Sequence, residues 1–189
     1  MIEVGKIQEL KVLRISPNGA YLGPMDEVDA GAERSRDNDI LLPKNQLPEG
    51  IKVGMGVDVF VYLDSEDRMI ATRKTPKVVI GKMAALKVVQ TTNIGAFLDW
   101  GLEKDLFLPY KEQVGKVVDG GTVFVALYVD KTGRLCATMK TYKHLRTDSP
   151  YKLNDRVRGT VCSINRELGA FVAVEDKYQG LIPNKELYG

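Results

Sequence analysis

The sequence predicts an all-β protein of tandem five-stranded barrels, the third of them incomplete. Three observations carry this. A Gly-Ala-aromatic-aliphatic element recurs at Gly19-Ala20-Tyr21-Leu22, Gly95-Ala96-Phe97-Leu98 and Gly169-Ala170-Phe171-Val172, with spacings of 76 and 74 residues. Each copy is followed by an apolar run ending in proline: Leu41-Leu42-Pro43, Phe107-Leu108-Pro109 and Leu181-Ile182-Pro183. In the first two copies an aspartate stands 21 residues beyond the proline, Asp64 and Asp130, and an arginine four residues later, Arg68 and Arg134. Landmarks at matched offsets mark a structural repeat. The glycine-to-proline distance is 14 in the second and third copies and 24 in the first, so the first module carries a ten-residue insertion. The modules are expected at residues 1–75 (with a loop insertion at 24–37), 76–142 and 151–189.

Taken in order, residues 4–15 read as a long first strand. Its apolar residues do not alternate cleanly, which predicts a bend or bulge. Asn18-Gly19 is a tight-turn signal. Residues 20–22 form strand two, where alternation sends Ala20 and Leu22 inward and Tyr21 outward. The polar insertion reads as a loop, and 39–42 as strand three. Residues 57–63 and 69–73 form a hairpin around the polar loop from Asp64 to Arg68. The second module repeats this order at 78–90, 94–100, 105–108, 122–129 and 135–139. Short polar linkers are expected at 74–76 and 141–151. The third module has strands at 156–164, 168–174 and 179–182. Its aspartate would fall at position 204, and the sequence has 189 residues. Such a fragment leaves strand edges open, so it is expected to dock onto module two, to pair with another chain, or to be part of a module truncated from a longer protein.

No apolar run reaches the roughly 18 residues a membrane-spanning helix needs. The N-terminus lacks a basic stretch followed by an apolar one, so no secretory signal is read and a cytoplasmic location is expected. Cys136 and Cys162 lack metal-type spacing and are expected as buried free thiols. The net charge of +2 hides an asymmetry: −3 over residues 1–75, +4 over 76–150 and +1 over 151–189. The middle module is therefore the favoured place for a polyanion.

Five short antiparallel strands in about 75 residues are the layout of an OB-type Greek-key barrel. At Gly-Ala-Phe-(Leu/Val), at the Leu-Ile-Pro run and at Asp-x3-Arg, the sequence resembles the S1 RNA-binding domain family over nearly its whole length. The tandem arrangement, the proline closing strand three and the insertion in module one resemble the bacterial conserved virulence factor B family. Those proteins carry a C-terminal winged-helix domain that has no counterpart in this sequence.

The resemblance implies an RNA surface built from the strand-two aromatics Tyr21, Phe97 and Phe171 and the hairpin pairs Asp64/Arg68 and Asp130/Arg134. Two usual contacts are missing. Asn18, Ile94 and Leu168 stand where a second aromatic is expected, and Pro43, Pro109 and Pro183 stand where a histidine is. Lys11 and Arg14 in module one, and Lys82 and Lys87 in module two, are the remaining candidate cations. Unpaired nucleic acid exposes ring faces and phosphates, which an aromatic platform ringed by Lys and Arg satisfies. The structural alternatives are that the aromatics pack under a neighbouring module and that the Asp–Arg pairs only bridge their hairpins. Trp100 reads as a core or interdomain filler. His144 is the single histidine and lies in a linker. With no clustered carboxylates and no Gly-rich phosphate loop, no enzyme activity, cofactor or metal site is expected. The expected function is binding of single-stranded RNA with little sequence preference, with a regulatory role implied by the resemblance. The alternatives are a protein–protein adaptor and a non-catalytic module of a larger RNA-processing assembly. No membrane partner is expected.

Overall fold

A computed structural model describes residues 2–26, 39–64, 66 and 68–187. The predicted insertion therefore lies outside the described residues except for its first three positions, as do Ser65 and Asp67. The chain divides into two compact units. One comprises Met1–Pro76 with Gly101–Lys104 and Val129–Leu135, and the other Lys77–Trp100, Asp105–Tyr128 and Cys136–Gly189.

Strands β1 (Ile7–Ser16), β2 (Gly19–Gly23), β3 (Ile40–Pro43), β4 (Gly56–Leu63) and β5 (Met69–Thr72) form a closed barrel in the order β1-β2-β3-β5-β4. Closure comes from the parallel pairing of Leu41 with Ile70 between β3 and β5. The alternating apolar residues of each strand fill the interior: Leu10, Val12, Ala20, Leu22, Ile40, Leu42, Val57, Val59, Val61 and Ala71 are buried together.

Strands β6 (Met83–Thr91), β7 (Gly95–Asp99), β8 (Leu106–Pro109), β9 (Thr122–Val129) and β10 (Leu135–Thr138) repeat the arrangement. Their order, β10-β9-β6-β7-β8, is the same barrel cut between its third and fifth strands. Glu112 holds that seam, with its side chain and its backbone carbonyl. Thr138 Oγ1 donates to Glu112 Oε2 (2.7 Å), and Met139 N donates to Glu112 O (3.0 Å). Glu112 ends the 3-10 turn Tyr110–Glu112 that follows β8. Barrel one carries the same latch: Gln46 Oε1 accepts from Thr72 Oγ1 (2.5 Å) and from Arg73 N (2.9 Å). Leu86, Val88, Ala96, Leu98, Leu106, Leu108 and Val125 are buried in barrel two. Truncating one such leucine to alanine costs about 2–5 kcal/mol.

The third copy has β11 (Gly159–Asn165), β12 (Gly169–Val174) and β13 (Tyr178–Pro183) in one sheet of that order. All three first strands are bulged at the same place. The register shifts between Val12 and Arg14, between Val88 and Gln90, and between Val161 and Ser163. The bulge is the bend that the imperfect alternation of 4–15 predicts. It absorbs one residue and keeps Val12 and Val88 inward.

Two expectations differ from the structure. Cys136 is buried, but Cys162 is only half-buried, because it occupies the β11 bulge. Residues 141–151 are not a plain polar linker. They begin with the 3-10 turn Thr141–His144, in which Thr141 is buried. Leu145 is also buried, and Arg146 makes an isolated parallel bridge to Tyr178. The apolar Tyr142 and Leu145, spaced three apart in a charged run, pull this stretch onto the third sheet: Gln179 Nε2 donates to Tyr142 O (3.0 Å). Trp100 is buried at the end of β7, as a filler should be. No helix among the described residues is long and apolar enough to cross a membrane.

Candidate nucleic-acid interface

In each module the strand-two aromatic is half-buried between inward-facing neighbours: Ala20 and Leu22 flank Tyr21, Ala96 and Leu98 flank Phe97, and Ala170 and Val172 flank Phe171. The alternation of a pleated strand sets this. What surrounds each ring differs, because the residues directly across from it differ.

Tyr21 pairs with Arg14 on β1 and Leu41 on β3. The Arg14 guanidinium lies 3.3 Å from the centre of the Tyr21 ring. Its Nε donates to Asp39 Oδ2 at 3.2 Å, and the Asp39 side chain is almost fully buried. One face of Tyr21 is thus already covered by a tethered cation. Lys11 is half-buried three residues before Arg14, across from Gly23 and Gly56.

Phe97 pairs with Gln90 on β6 and Phe107 on β8. The two phenylalanine rings lie 5.4 Å apart with a 42° tilt. Ile94 is 63% exposed and Tyr110 70% exposed beside them. Tyr110 N donates to Ile94 O (2.9 Å), a backbone bond just beyond the paired ends of β7 and β8. Lys87 lies across from Asp99, on the same outward face as Phe97 two residues earlier. Asp99 Oδ2 also holds Lys77 Nζ at 2.6 Å. Lys82 is exposed ahead of β6, five residues or about 16 Å of strand before Lys87. Arg134 is exposed in the β9–β10 turn.

Phe171 pairs with Ser163 and Leu181, but its ring packs 4.7 Å from that of Tyr142. Of the three aromatics it is the one whose surroundings match the packing alternative.

The hairpin aspartates build turns. Asp64 Oδ1 accepts from Glu66 N (2.8 Å) and Arg68 N (3.0 Å), while Oδ2 accepts from Arg68 Nε (3.0 Å) and Nη2 (2.8 Å). Arg68 reaches Glu66 as well, at 2.8 Å. Asp130 Oδ1 accepts from Thr132 N (2.8 Å), Thr132 Oγ1 (2.7 Å) and Arg134 N (3.0 Å). Desolvation pushes the Asp64 carboxyl up, but the hydrogen bonds from Arg68 and Glu66 outweigh it and hold the group below the usual carboxylate range. The Thr132 hydroxyl does the same for Asp130, helped by the backbone of Arg134 and Thr132. The Asp64 carboxylate pushes the Arg68 guanidinium up.

Sequence reasoning missed Phe107, Tyr110 and Tyr142. Phe107 had a signal: it stands two residues before Pro109, where the other copies have leucine, and the glycine-to-proline spacing sets it opposite Phe97. Tyr142 had none, since nothing in a linker sequence names its contact.

A sequence profile of the S1 domain matches residues 4–74 and again residues 80–140. The chain belongs to the S1 domain family. Its two S1 matches coincide with the two barrels. Uncharacterized protein YitL of Bacillus subtilis is 31% identical over 150 residues, covering 74% of this chain and 50% of that one. Conserved virulence factor B of Staphylococcus saprophyticus is 28% identical over 144 residues, covering 73% and 45%. The chain thus spans about half the length of these curated relatives. Among solved structures, a multidomain protein with nucleic acid binding domains from Streptococcus pneumoniae matches with a TM-score of 0.57 at 17% identity, over 98% of this chain and 64% of that one. At that identity the likeness is one of fold.

Proposed function

We propose that the chain binds single-stranded RNA with little sequence preference, and that the outward face of barrel two is its main platform. The carrying observation is the Phe97–Phe107 ring pair, 5.4 Å apart. Membership of the S1 domain family supports a nucleic-acid-binding role rather than catalysis. The solved relative described as having nucleic acid binding domains adds to that support. The +4 charge of residues 76–150 favours the same module. Stacking on rings reads π-faces that every base has, so sequence preference is weak. Phosphates would be met by Lys87 and Lys82. Barrel one is the weaker partner, because Arg14 occupies the Tyr21 ring. Asp64 and Asp130 fix the turns that carry Arg68 and Arg134. A regulatory role in RNA stability or translation, in the cytoplasm, is the setting that this reading suggests.

Two observations favour a second reading for barrel one alone. Its net charge of −3 and its capped ring suit a protein contact better than a polyanion.

The test is anisotropy of labelled oligopyrimidine and oligopurine strands against the full chain at two salt concentrations. Binding should weaken steeply between about 50 and 200 mM salt. Phe97→Ala and Phe107→Ala should each raise Kd by roughly 5- to 150-fold, the worth of one stacked base at about 1–3 kcal/mol. Salt-insensitive binding, or unchanged affinity in both variants, would refute the platform.

A further inference from the structure

Barrel one shows what closes a strand-two ring. Each first strand is bulged, and the residue that comes out of the bulge pairs with the ring: Arg14 with Tyr21, Gln90 with Phe97, Ser163 with Phe171. A side chain at that position shares the outward face with the ring, one strand away. In barrel one it is long, planar and charged, and it lies on the ring, with Arg14 Cζ 3.3 Å from the Tyr21 centroid. Tyr21 is already half-buried, so the guanidinium takes the face that is left. Asp39 holds it there, accepting from Nε at 3.2 Å.

Barrel two has half of this arrangement. Asp39 directly precedes β3, and Asp105 directly precedes β8. Asp105 stands two residues before Phe107, as Asp39 stands two before Leu41, so the pleat puts it on the outward face beside the ring pair. Its neighbour on that face, Asp99, is held by Lys77 at 2.6 Å. The anchor is therefore present in barrel two and the cation is not. Gln90 is exposed and uncharged, so no cation–π attraction draws it over Phe97. In the third copy Ser163 is too short to cover a ring, and the register puts Gln179 in the place of Asp39.

We propose that position 90 decides whether the barrel-two ring is open to a base. Glutamine leaves Phe97 open, and arginine at this position closes it by anchoring on Asp105, as Arg14 does on Asp39. This rests on the reading of the Phe97–Phe107 pair as a single-strand platform. The consequence runs against simple charge. An added cation on a nucleic-acid surface tightens binding. At position 90 it should weaken binding, because the base must displace a guanidinium held by both a ring and a carboxylate.

Anisotropy of a labelled oligouridine dodecamer against the full chain, at about 50 mM salt, tests this. Gln90 lies on the surface, so Gln90→Arg should leave the circular dichroism spectrum unchanged. It should raise Kd roughly 2- to 30-fold, the range of a cation–π contact that must be given up. Gln90→Ala should stay within a few-fold of the parent protein. Asp105→Asn removes a negative charge and should lower Kd slightly in the parent protein. In the Gln90→Arg background it also frees the arginine, and there it should lower Kd by a clearly larger factor. If Gln90→Arg leaves Kd unchanged or lowers it while Phe97→Ala still weakens binding, the lid is overturned and the platform stands. Equal effects of Asp105→Asn in the two backgrounds overturn the anchor, and the proposal with it. A loss in Gln90→Ala as large as in Gln90→Arg makes the glutamine a contact in its own right and likewise overturns the lid. Phe97→Ala binding as tightly as the parent protein, or no dodecamer binding by the parent, removes the platform and the lid together.

Discussion

Gly95 stands where β7 runs closest to β8, and the space above its Cα is already taken. A Cβ there would lie 2.4 Å from Leu108 O and 2.7 Å from Phe107 Cε2. Gly19 and Gly169 meet the equivalent carbonyls, Leu42 O and Ile182 O, at 2.1 and 2.0 Å. The repeat is therefore anchored by a backbone approach, which is why glycine rather than another small residue opens each copy. Gly95→Ala should destabilise barrel two by about 1–3 kcal/mol, read as a fall in the urea midpoint. Gly81→Ala, where nothing lies within 4 Å of the added carbon, should cost no more than its positive φ demands, about 1–2 kcal/mol. Equal midpoints for Gly95→Ala and the parent protein would mean that β7 and β8 can part freely. At this scale much was legible. Alternation placed Tyr21, Phe97 and Phe171 outward, and all three are half-exposed. The partner over each ring was less so. Arg14 reads from sequence as a free cation, yet it is fixed on Tyr21 by Asp39, 25 residues further on and past the insertion.

Among the elements, the last hairpin of each barrel shows how a motif chosen for binding serves folding first. Asp64 and Asp130 sit at the same offset because each closes the same turn, and each carboxylate takes several donors from it. Such hydrogen bonds contribute about 0.5–1.5 kcal/mol each at most, less at an exposed turn. The aspartates titrate lower in the fold than in the unfolded chain. In that range the folded state therefore binds fewer protons than the unfolded chain at the same pH. The contribution is complete above the unfolded value, about pH 4, and is lost as the pH drops through the lower folded value. The urea midpoint of the parent protein should therefore fall between about pH 6 and pH 2.5 by more than that of Asp130→Ala, which has no carboxylate to protonate there. Parallel pH profiles for the two would remove the turn carboxylate from the acid response. The strands themselves were legible from period-2 patterning and turn residues. The bulge was legible as a break in that pattern. Its position was not, since it depends on which residues of β2 and β4 lie opposite.

For the molecule as a whole, the third copy is a natural control on what a complete barrel provides. Val161 and Ile182 occupy the repeat positions of Val12 and Leu42. In barrel one those two are fully buried, whereas Val161 is 53% exposed and Ile182 38% exposed. Among the described residues no named strand pairs with the outer edge of β11 or β13, and the edge of β13 carries only the isolated bridge of Arg146 to Tyr178. In barrel one the corresponding edges are covered by β4 and β5. The latch is uncovered too: Glu186 follows Pro183 as Gln46 follows Pro43, and no threonine reaches it among the described residues. Open edges and half-buried apolar side chains lower the free energy of local opening, and amide exchange reads that directly. The amides of β11 and β13 should exchange well before those of β1, β2 and β4. β12 should lie between them, because it has neighbours on both sides and Ala170 and Val172 are buried. Hydrogen exchange followed by mass spectrometry on the full chain measures all three groups at once. Protection of β11 and β13 equal to that of barrel one would mean that their edges are covered in solution, by a second copy or by another partner. A concentration series would then separate those two: protection that fades on dilution belongs to a second copy.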